Sequence, residues 1–260
     1  MSVPTDQISS IIPVPVHPQR IISLVPSITE LLFSLGLEDR VVGITKFCVH
    51  PEDWFRTKTR VGGTKNIHID IIQRLSPDLI IANKEENVKE QIEILAAQFP
   101  VWVTDIKNFD NAMQMILRTG EITGKEEAAN QLRQQIESAF AALPTFTKKI
   151  RTAYLIWQEP LMTVGGDTFI HHMIEKAGLE NVFAAEQRYH EITMDTLQAV
   201  RPECLLLSSE PFPFRQQHID HMQPLLPDTR ILLADGEIFS WYGSRLLHAP
   251  LYFQELRKLY

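Results

Sequence analysis

Residues 69–81 read IDIIQRLSPDLII, and residues 194–206 read MDTLQAVRPECLL. Each stretch has an acidic residue near the start of a short helical pattern, then a proline through which a helix cannot continue, and finally an apolar run. Such apolar runs are typical of strands that are buried on both faces. The same helix, break and strand occur twice, which predicts two α/β units of similar architecture.

A second pair of segments supports this repetition. Residues 28–37 read ITELLFSLGL and residues 170–179 read IHHMIEKAGL, each with apolar residues at helical spacing before a glycine. We predict matching helices that end at these glycines. Ser27 and Glu30 have the spacing of a capping box, so we expect the first helix to begin at Ser27.

These repeats predict an α/β protein with two similar parallel-sheet lobes. Residues 125–143 have apolar side chains at helical spacing, which predicts one long amphipathic helix between the lobes. We assign residues 1–19 to an N-terminal extension, 20–120 to the N-terminal lobe, 121–146 to the connecting helix and 147–260 to the C-terminal lobe. Facing lobes form a cleft, and clefts of this kind favour small-molecule ligands.

Charge and composition exclude several classes of protein. The 260 residues include 25 Lys and Arg against 32 Asp and Glu, a formal net charge of −7. Nucleic-acid binders usually carry a basic surface, so no nucleic acid partner is expected. No apolar run approaches the roughly 20 residues of a membrane span. Two cysteines, Cys48 and Cys204, are too few for a disulfide scaffold, and a single bridge between them is left open.

The N-terminal residues do not have the pattern of a secretory leader. Residues 1–16 contain no Lys or Arg, and three prolines interrupt their apolar residues. We therefore expect either a cytoplasmic protein or a chain that is given without its leader.

The sequence contains none of the common catalytic motifs. It has no phosphate-binding loop, no G-x-S-x-G elbow, no H-E-x-x-H and no G-x-G-x-x-G, and no nucleophile is paired with a base. We predict a binding protein that is not an enzyme.

Candidate ligand contacts follow three predicted strands, because open α/β sheets bind ligands beyond the carboxyl ends of their strands. Polar candidates are Cys48, His50, Glu85, Glu86 and Arg245, and aromatic candidates are Phe47, Trp241 and Tyr242. For each there is a structural alternative: a solvated turn for the acids, a buried thiol for Cys48, and core packing for one of the aromatics.

A metal receptor is a second hypothesis. Thiolate and imidazole suit zinc, so Cys48 with His50, together with His190 and Glu191, would be the candidate ligands. A closed metal site needs about four convergent ligands, and the sequence has no such cluster. We therefore predict no metal site. The remaining histidine pairs are expected to be structural or on the surface, namely His171 with His172 and His218 with His221.

The order of these segments resembles one family. Residues 20–30, RIISLVPSITE, residues 75–81 and the connecting helix are similar to the helical-backbone periplasmic-binding proteins of ABC importers, the cobalamin and iron-siderophore receptors. The resemblance covers most of the chain and is closest to the cobalamin-binding members. It implies two α/β lobes bridged by a rigid helix, with a ligand held between them and no catalytic cofactor.

The same resemblance implies particular roles. Phe47, Met162 and Tyr189 match ligand-facing positions, as do the neighbouring Trp241 and Tyr242. Asp70 and Asp195 match acidic residues that dock onto arginines of the membrane permease.

The resemblance also implies a monomeric corrinoid receptor, either periplasmic or at the membrane surface. A receptor for a ferric siderophore or haem, and a leaderless cytoplasmic corrinoid-handling protein, are the alternatives.

Overall fold

The computed structural model describes residues 13–259, which form two compact units. Unit 1 contains residues 13–106, 110–137 and 242–245, and unit 2 contains residues 107–109, 138–241 and 246–259. The structure therefore shows two α/β units, as the repeated segments predict. Of the predicted N-terminal extension, residues 1–12 lie outside the described residues.

Unit 1 is built on a parallel sheet of five strands. Its strands are β1 (Ile21–Ser23), β2 (Val41–Ile44), β3 (Thr59–Arg60), β4 (Leu79–Asn83) and β5 (Val101–Thr104). They lie in the order β3-β2-β1-β4-β5, and every pair is parallel. The central strands β1 and β4 are buried on both faces, which explains their apolar runs.

Helices follow the strands of unit 1, as expected for crossover connections between parallel strands. They are α1 (Pro26–Ser34), α2 (Glu52–Thr57), α3 (Ile69–Leu75), α4 (Lys89–Ala96) and α5 (Phe109–Thr123). The predicted capping box is wrong, because α1 begins one residue earlier. Val25 is its N-cap, and Pro26 occupies the first turn, where the missing N–H has no cost.

The predicted connecting segment, residues 121–146, contains the end of α5 and all of α6 (Glu126–Ala141). Gly124 separates the two helices with a φ of 68°. The chain passes from unit 1 to unit 2 within α6, between residues 137 and 138.

Unit 2 has a mixed sheet. Its strands are β6 (Ile150–Trp157), β7 (Leu161–Val164), β8 (Leu179–Asn181), β9 (Tyr189–Ile192), β10 (Cys204–Ser208) and β11 (Arg230–Ala234). The order is β11-β10-β6-β7-β9, and β8 also pairs with β6. The predicted parallel pairing holds for β10 with β6 and β11 and for β8 with β6, whereas β7 departs from it by running antiparallel to both β6 and β9. The turn between β6 and β7 is too short for a crossover, so the chain reverses direction.

The helices of unit 2 are α7 (Phe169–Lys176), α8 (Met194–Val200), α9 (Gln216–Met222), α10 (Gly236–Ser240) and α11 (Ala249–Arg257), with short 3-10 helices at Gln223–Leu225 and Ser244–Leu247. Within residues 13–259, none of the helices has both the length and the hydrophobicity needed to cross a bilayer.

The repeated segments adopt the same local structures. Gly36 and Gly178, which follow α1 and α7, both have positive φ. The C-caps of α3 and α8 are left-handed at Ser76 and Arg201.

An arginine side chain donates hydrogen bonds to the carboxyl end of α3 and another to that of α8. Arg20 donates to the carbonyls of Leu75 and Ser76, and Arg151 donates to those of Val200 and Arg201. The following acid completes the arrangement, because Asp78 accepts the backbone N–H of Arg20 and Glu203 accepts that of Arg151. We call each arrangement an arginine staple.

Candidate functional site

The loop after β2 presents the most exposed aromatic of unit 1. Phe47 is 50% exposed and Val49 is 40% exposed. The Lys46 ammonium lies 5.1 Å from the centroid of the Phe47 ring. An exposed aromatic at the carboxyl edge of a parallel sheet is available for an apolar ligand surface. His50, also in this loop, is half-buried.

Cys48 does not present its thiol on this loop, which corrects its prediction as a polar ligand contact. Its side chain is fully buried. The Thr29 hydroxyl donates to the sulfur at 3.0 Å, and the Thr45 hydroxyl lies 3.2 Å from it. Burial raises the pKa of the thiol, so the neutral form is favoured. Cys48 and Cys204 are both free, so no bridge joins them.

Two buried asparagines shape the turn after β4. The Asn83 side-chain oxygen accepts the backbone N–H groups of Glu85 and Glu86 at 2.8 and 3.1 Å. Asn87 donates to the carbonyls of Leu24 and Thr64, and its oxygen accepts the N–H of Asn83. These bonds hold Glu85 and Glu86 half-buried at the carboxyl edge of the sheet. The asparagine side chains therefore have a structural role, and the side chains that the turn presents are those of Glu85 and Glu86.

Arg245 forms an ion pair within unit 1, which sequence analysis did not predict. Its Nη2 lies 2.8 Å from Glu30 Oε1, and its Nε donates to Glu30 Oε2 at 3.0 Å. The side chains are only 15% and 18% exposed. This two-point contact engages the guanidinium with a carboxylate of the protein. The contact of Arg245 with an anionic ligand group stays a prediction.

Trp241 and Tyr242 are each 6% exposed, which fits the alternative of core packing, and their contact with a ligand stays a prediction. In unit 2 the Trp241 indole donates to Glu210 Oε1 at 2.8 Å, and the Ser240 hydroxyl donates to the same oxygen at 2.6 Å. Burial raises the pKa of Glu210, and the nearby carboxylates of Glu237 and Asp235 add to the effect. No motif around Glu210 in the sequence marks it as a buried acid that binds the indole of Trp241.

Unit 2 presents a different exposed surface where β6, β7 and β9 meet. Trp157 faces Met162 across the β6–β7 pair, and Met162 faces Glu191 across the β7–β9 pair. Tyr189 faces Val164, two residues from Met162 on the same side of the strand. We call this surface, formed by Trp157, Met162, Tyr189 and Glu191, the hairpin face.

Met162 and Tyr189 are half-buried on the hairpin face, whereas Trp157 is 39% exposed. Trp157 is not among the ligand contacts predicted from the sequence. The rule that selected Phe47 could have found it, because Trp157 is an aromatic at the carboxyl end of a buried strand.

The proposed metal ligands do not converge. Consecutive residues of a strand point to opposite faces, so His190 lies away from Glu191. Its ring contacts Phe183 in the core, with centroids 5.7 Å apart. Across residues 13–259, no group of three or more His, Cys, Asp or Glu side chains could hold a metal ion.

The two other histidine pairs contact the protein itself. Asn181 contacts His171, and burial lowers the pKa of that histidine. His218 accepts the N–H of Arg215. His172 and His221 are on the surface.

The acids proposed for docking occupy equivalent exposed positions. Asp70 lies in the first turn of α3 and Asp195 in the first turn of α8. Asp70 pairs with Arg74 at 2.8 Å, and this hydrogen bond lowers the pKa of Asp70. Asp195 forms no ion pair with residues 13–259.

Comparison with known proteins identifies the class to which this fold belongs. The model of the periplasmic binding protein family matches residues 21–224, so the chain belongs to that family. It is 26% identical over 202 residues to an uncharacterized ABC transporter substrate-binding lipoprotein of Bacillus subtilis, a match that covers 73% of this chain and 63% of the lipoprotein. It is 28% identical over 199 residues to a vitamin B12-binding protein of Vibrio parahaemolyticus, covering 73% and 70%.

Solved structures support the fold independently. The crystal structure of a periplasmic vitamin B12-binding protein of Vibrio cholerae superposes with a TM-score of 0.77. It is 21% identical in sequence, and the superposition covers 94% of this chain and all of that chain. At this identity the likeness concerns the fold, which is the two-lobe α/β architecture predicted from the repeated segments.

Proposed function

We propose that this chain is the solute-binding component of an ABC importer, and that it captures a cobalamin-like corrinoid. The family match over residues 21–224 carries the first part of the proposal. The sequence relative from Vibrio parahaemolyticus, named as a vitamin B12-binding protein, supports the second part. The fold alone does not choose a ligand.

The exposed surfaces at the carboxyl edges suit a large ligand with apolar faces. Phe47 and Val49 provide such surface in unit 1, and Met162 and Tyr189 provide it in unit 2. The half-buried Glu85 and Glu86 add acceptors for the amide groups at the periphery of a corrinoid. Binding needs no cofactor in this proposal, because the metal chelate is itself the cargo.

The acidic turn of unit 1 favours a second candidate ligand. Glu85 and Glu86 make this edge more polar than an aromatic surface would be, which suits a ferric siderophore with amide or hydroxyl donors. Haem, whose macrocycle is apolar, would instead rest on the apolar side chains. A corrinoid receptor and a siderophore or haem receptor would have the same fold and would differ only in the ligand that they bind.

Calorimetric titration of the purified chain tests the ligand. We expect cyanocobalamin to bind with a stoichiometry of one, and haemin and a ferric hydroxamate chelate to bind more weakly. Tighter binding of haemin or the chelate would replace the corrinoid by the second candidate. No heat and no co-elution with any of the three ligands would overturn the receptor proposal.

The partner proposed for the opposite end of each unit is a membrane permease. Asp70 and Asp195 occupy matching first turns, and each is exposed to a basic partner. Two like-charged points on similar units suit a permease that presents an arginine to each of them. We propose that the receptor acts as a monomer in the periplasm or at the membrane surface. Recovery in the cytoplasmic fraction of cells that express the native reading frame would favour the cytoplasmic alternative instead.

A further inference from the structure

Trp157 is the exposed tryptophan of this chain. Its side chain is 39% exposed, whereas Trp54, Trp102 and Trp241 are 4%, 5% and 6% exposed. A large aromatic side chain that stays exposed at the carboxyl edge of a sheet does not contribute the free energy that its burial would add to folding. Together with the half-buried Met162 and Tyr189 of the hairpin face, Trp157 forms a contiguous apolar patch, and such patches are typical of surfaces that another molecule covers.

The polar atom of Trp157 is already satisfied. Its indole N–H donates to the carbonyl of Glu159 at 3.0 Å, within the turn that joins β6 to β7. The exposed part of the ring therefore has only apolar surface to offer. This surface suits a conjugated or apolar ligand face and does not suit a charged group.

An aromatic cluster packs against the indole of Trp157. The Phe212 ring packs edge-on against Trp157 with centroids 5.6 Å apart, and Phe214 and His218 lie 4.7 and 5.4 Å from Phe212. The backbone N–H of Phe212 donates to the carbonyl of Ile156, which ties this cluster to β6. A ring that is fixed before binding loses little conformational entropy when a ligand covers it.

We propose that Trp157 is a ligand-contacting residue that sets specificity for a flat or apolar ligand face, and that Phe212 is its positioning residue. Met162 lies beside Trp157 on the hairpin face and extends the same apolar surface. This inference rests on the proposed function, because it identifies the residue of unit 2 on which the ligand rests.

Oxidation by N-bromosuccinimide followed by peptide mass spectrometry tests direct contact. In the free protein we expect Trp157 to be oxidised first, and the buried Trp54, Trp102 and Trp241 serve as internal controls. Saturation with cyanocobalamin, or with haemin if that ligand binds more tightly, should protect Trp157 at least fivefold. Equal oxidation rates with and without a ligand that binds by calorimetry would overturn the inference and leave the proposed function intact.

Affinity measurements provide the second test. We expect Trp157→Ala to weaken binding about tenfold, Trp157→Phe to restore most of the loss, and Phe212→Ala to weaken binding by a smaller factor. Trp102→Phe, a matched change at a buried tryptophan of unit 1, should leave the affinity within about twofold. Unchanged affinity in Trp157→Ala would contradict the proposal. Failure of the wild-type protein to bind any of the three ligands would overturn the proposed function and this inference together.

Discussion

The two units share a frame and differ at their carboxyl edges. Both have a short helix with a left-handed C-cap, a proline, a buried strand and an arginine staple. At the edge of unit 1, neutral amides hold a turn that carries two acids. At the edge of unit 2, an antiparallel hairpin presents Trp157, and a buried carboxylate holds Trp241. The helix, break, strand and staple are therefore repeated, whereas the chemistry of the carboxyl edge is particular to each unit.

The largest stability effect is expected from the amide network of unit 1. Asn87→Ala removes the partner of two buried carbonyls and of one backbone N–H. We expect the free energy of unfolding to fall by about 2–4 kcal/mol, because buried polar groups are left unpaired. Urea denaturation measures this change. Asn66→Ala, at an exposed position of the same unit, is the control and should cost under about 0.5 kcal/mol. A similar loss of unfolding free energy in both variants would contradict a stabilising role of the amide network.

The Glu30–Arg245 pair is a second feature of unit 1. The pair is mostly buried, so Arg245→Ala leaves the Glu30 carboxylate without its main partner. We expect a loss of about 2 kcal/mol in unfolding free energy, measured by urea denaturation. In the double variant Glu30→Ala/Arg245→Ala the loss should be smaller than the sum of the two single losses. Strict additivity of the single changes would indicate that the contact contributes nothing.

The arginine staples test the shared frame directly. Arg20→Ala and Arg151→Ala remove equivalent hydrogen bonds from the ends of α3 and α8. We expect each to lower the unfolding free energy by about 1 kcal/mol, and the two losses to agree within about 0.5 kcal/mol. Lysine at either position should recover part of the loss. A large effect in one unit and none in the other would break the comparison.

The smallest effect concerns pH and separates two carboxylates of unit 2. The pKa of Glu210 is raised by burial, so its contribution to stability is full below the pKa of the unfolded chain and is lost as pH rises through the folded pKa. Glu210→Gln should remove this loss, so the stability of the variant relative to the wild-type protein, measured by urea denaturation, should increase as pH rises through the folded pKa of Glu210.

Glu203 provides the control, because its pKa is shifted in the direction opposite to that of Glu210. The Arg151 N–H lowers the pKa of Glu203, so its contribution is present above the unfolded pKa and is lost as pH falls through the folded pKa. Glu203→Gln should therefore lose stability relative to the wild-type protein at neutral pH. The same pH profile in both glutamine variants would contradict these two assignments.

Local patterns in the sequence are sufficient to predict the helices and strands that the two units share. Helix period, a proline stop and an apolar run identify α3, β4, α8 and β10 because those signals depend on neighbouring residues. The reversal of β7 was not predictable from alternation of strands and helices, since the same apolar runs suit parallel and antiparallel neighbours.

The candidate site was harder to predict because its contacts join distant residues. Glu30 has the spacing of a capping residue, yet it pairs with Arg245, 215 positions away. Cys48 lies in a polar stretch of sequence, yet Thr29 and Thr45 enclose its thiol. Phe47 followed from a local rule, namely that ligand residues come directly after strands, and Trp157 satisfies the same rule.

Uptake of radiolabelled cyanocobalamin by cells tests the central claim most directly. We predict that deletion of the gene reduces uptake to background and that the wild-type gene restores it. The double variant Asp70→Lys/Asp195→Lys should bind the vitamin normally in calorimetry but should not restore uptake, because its charges repel the permease arginines. Unchanged uptake after deletion, measured where no second receptor is present, would contradict the account.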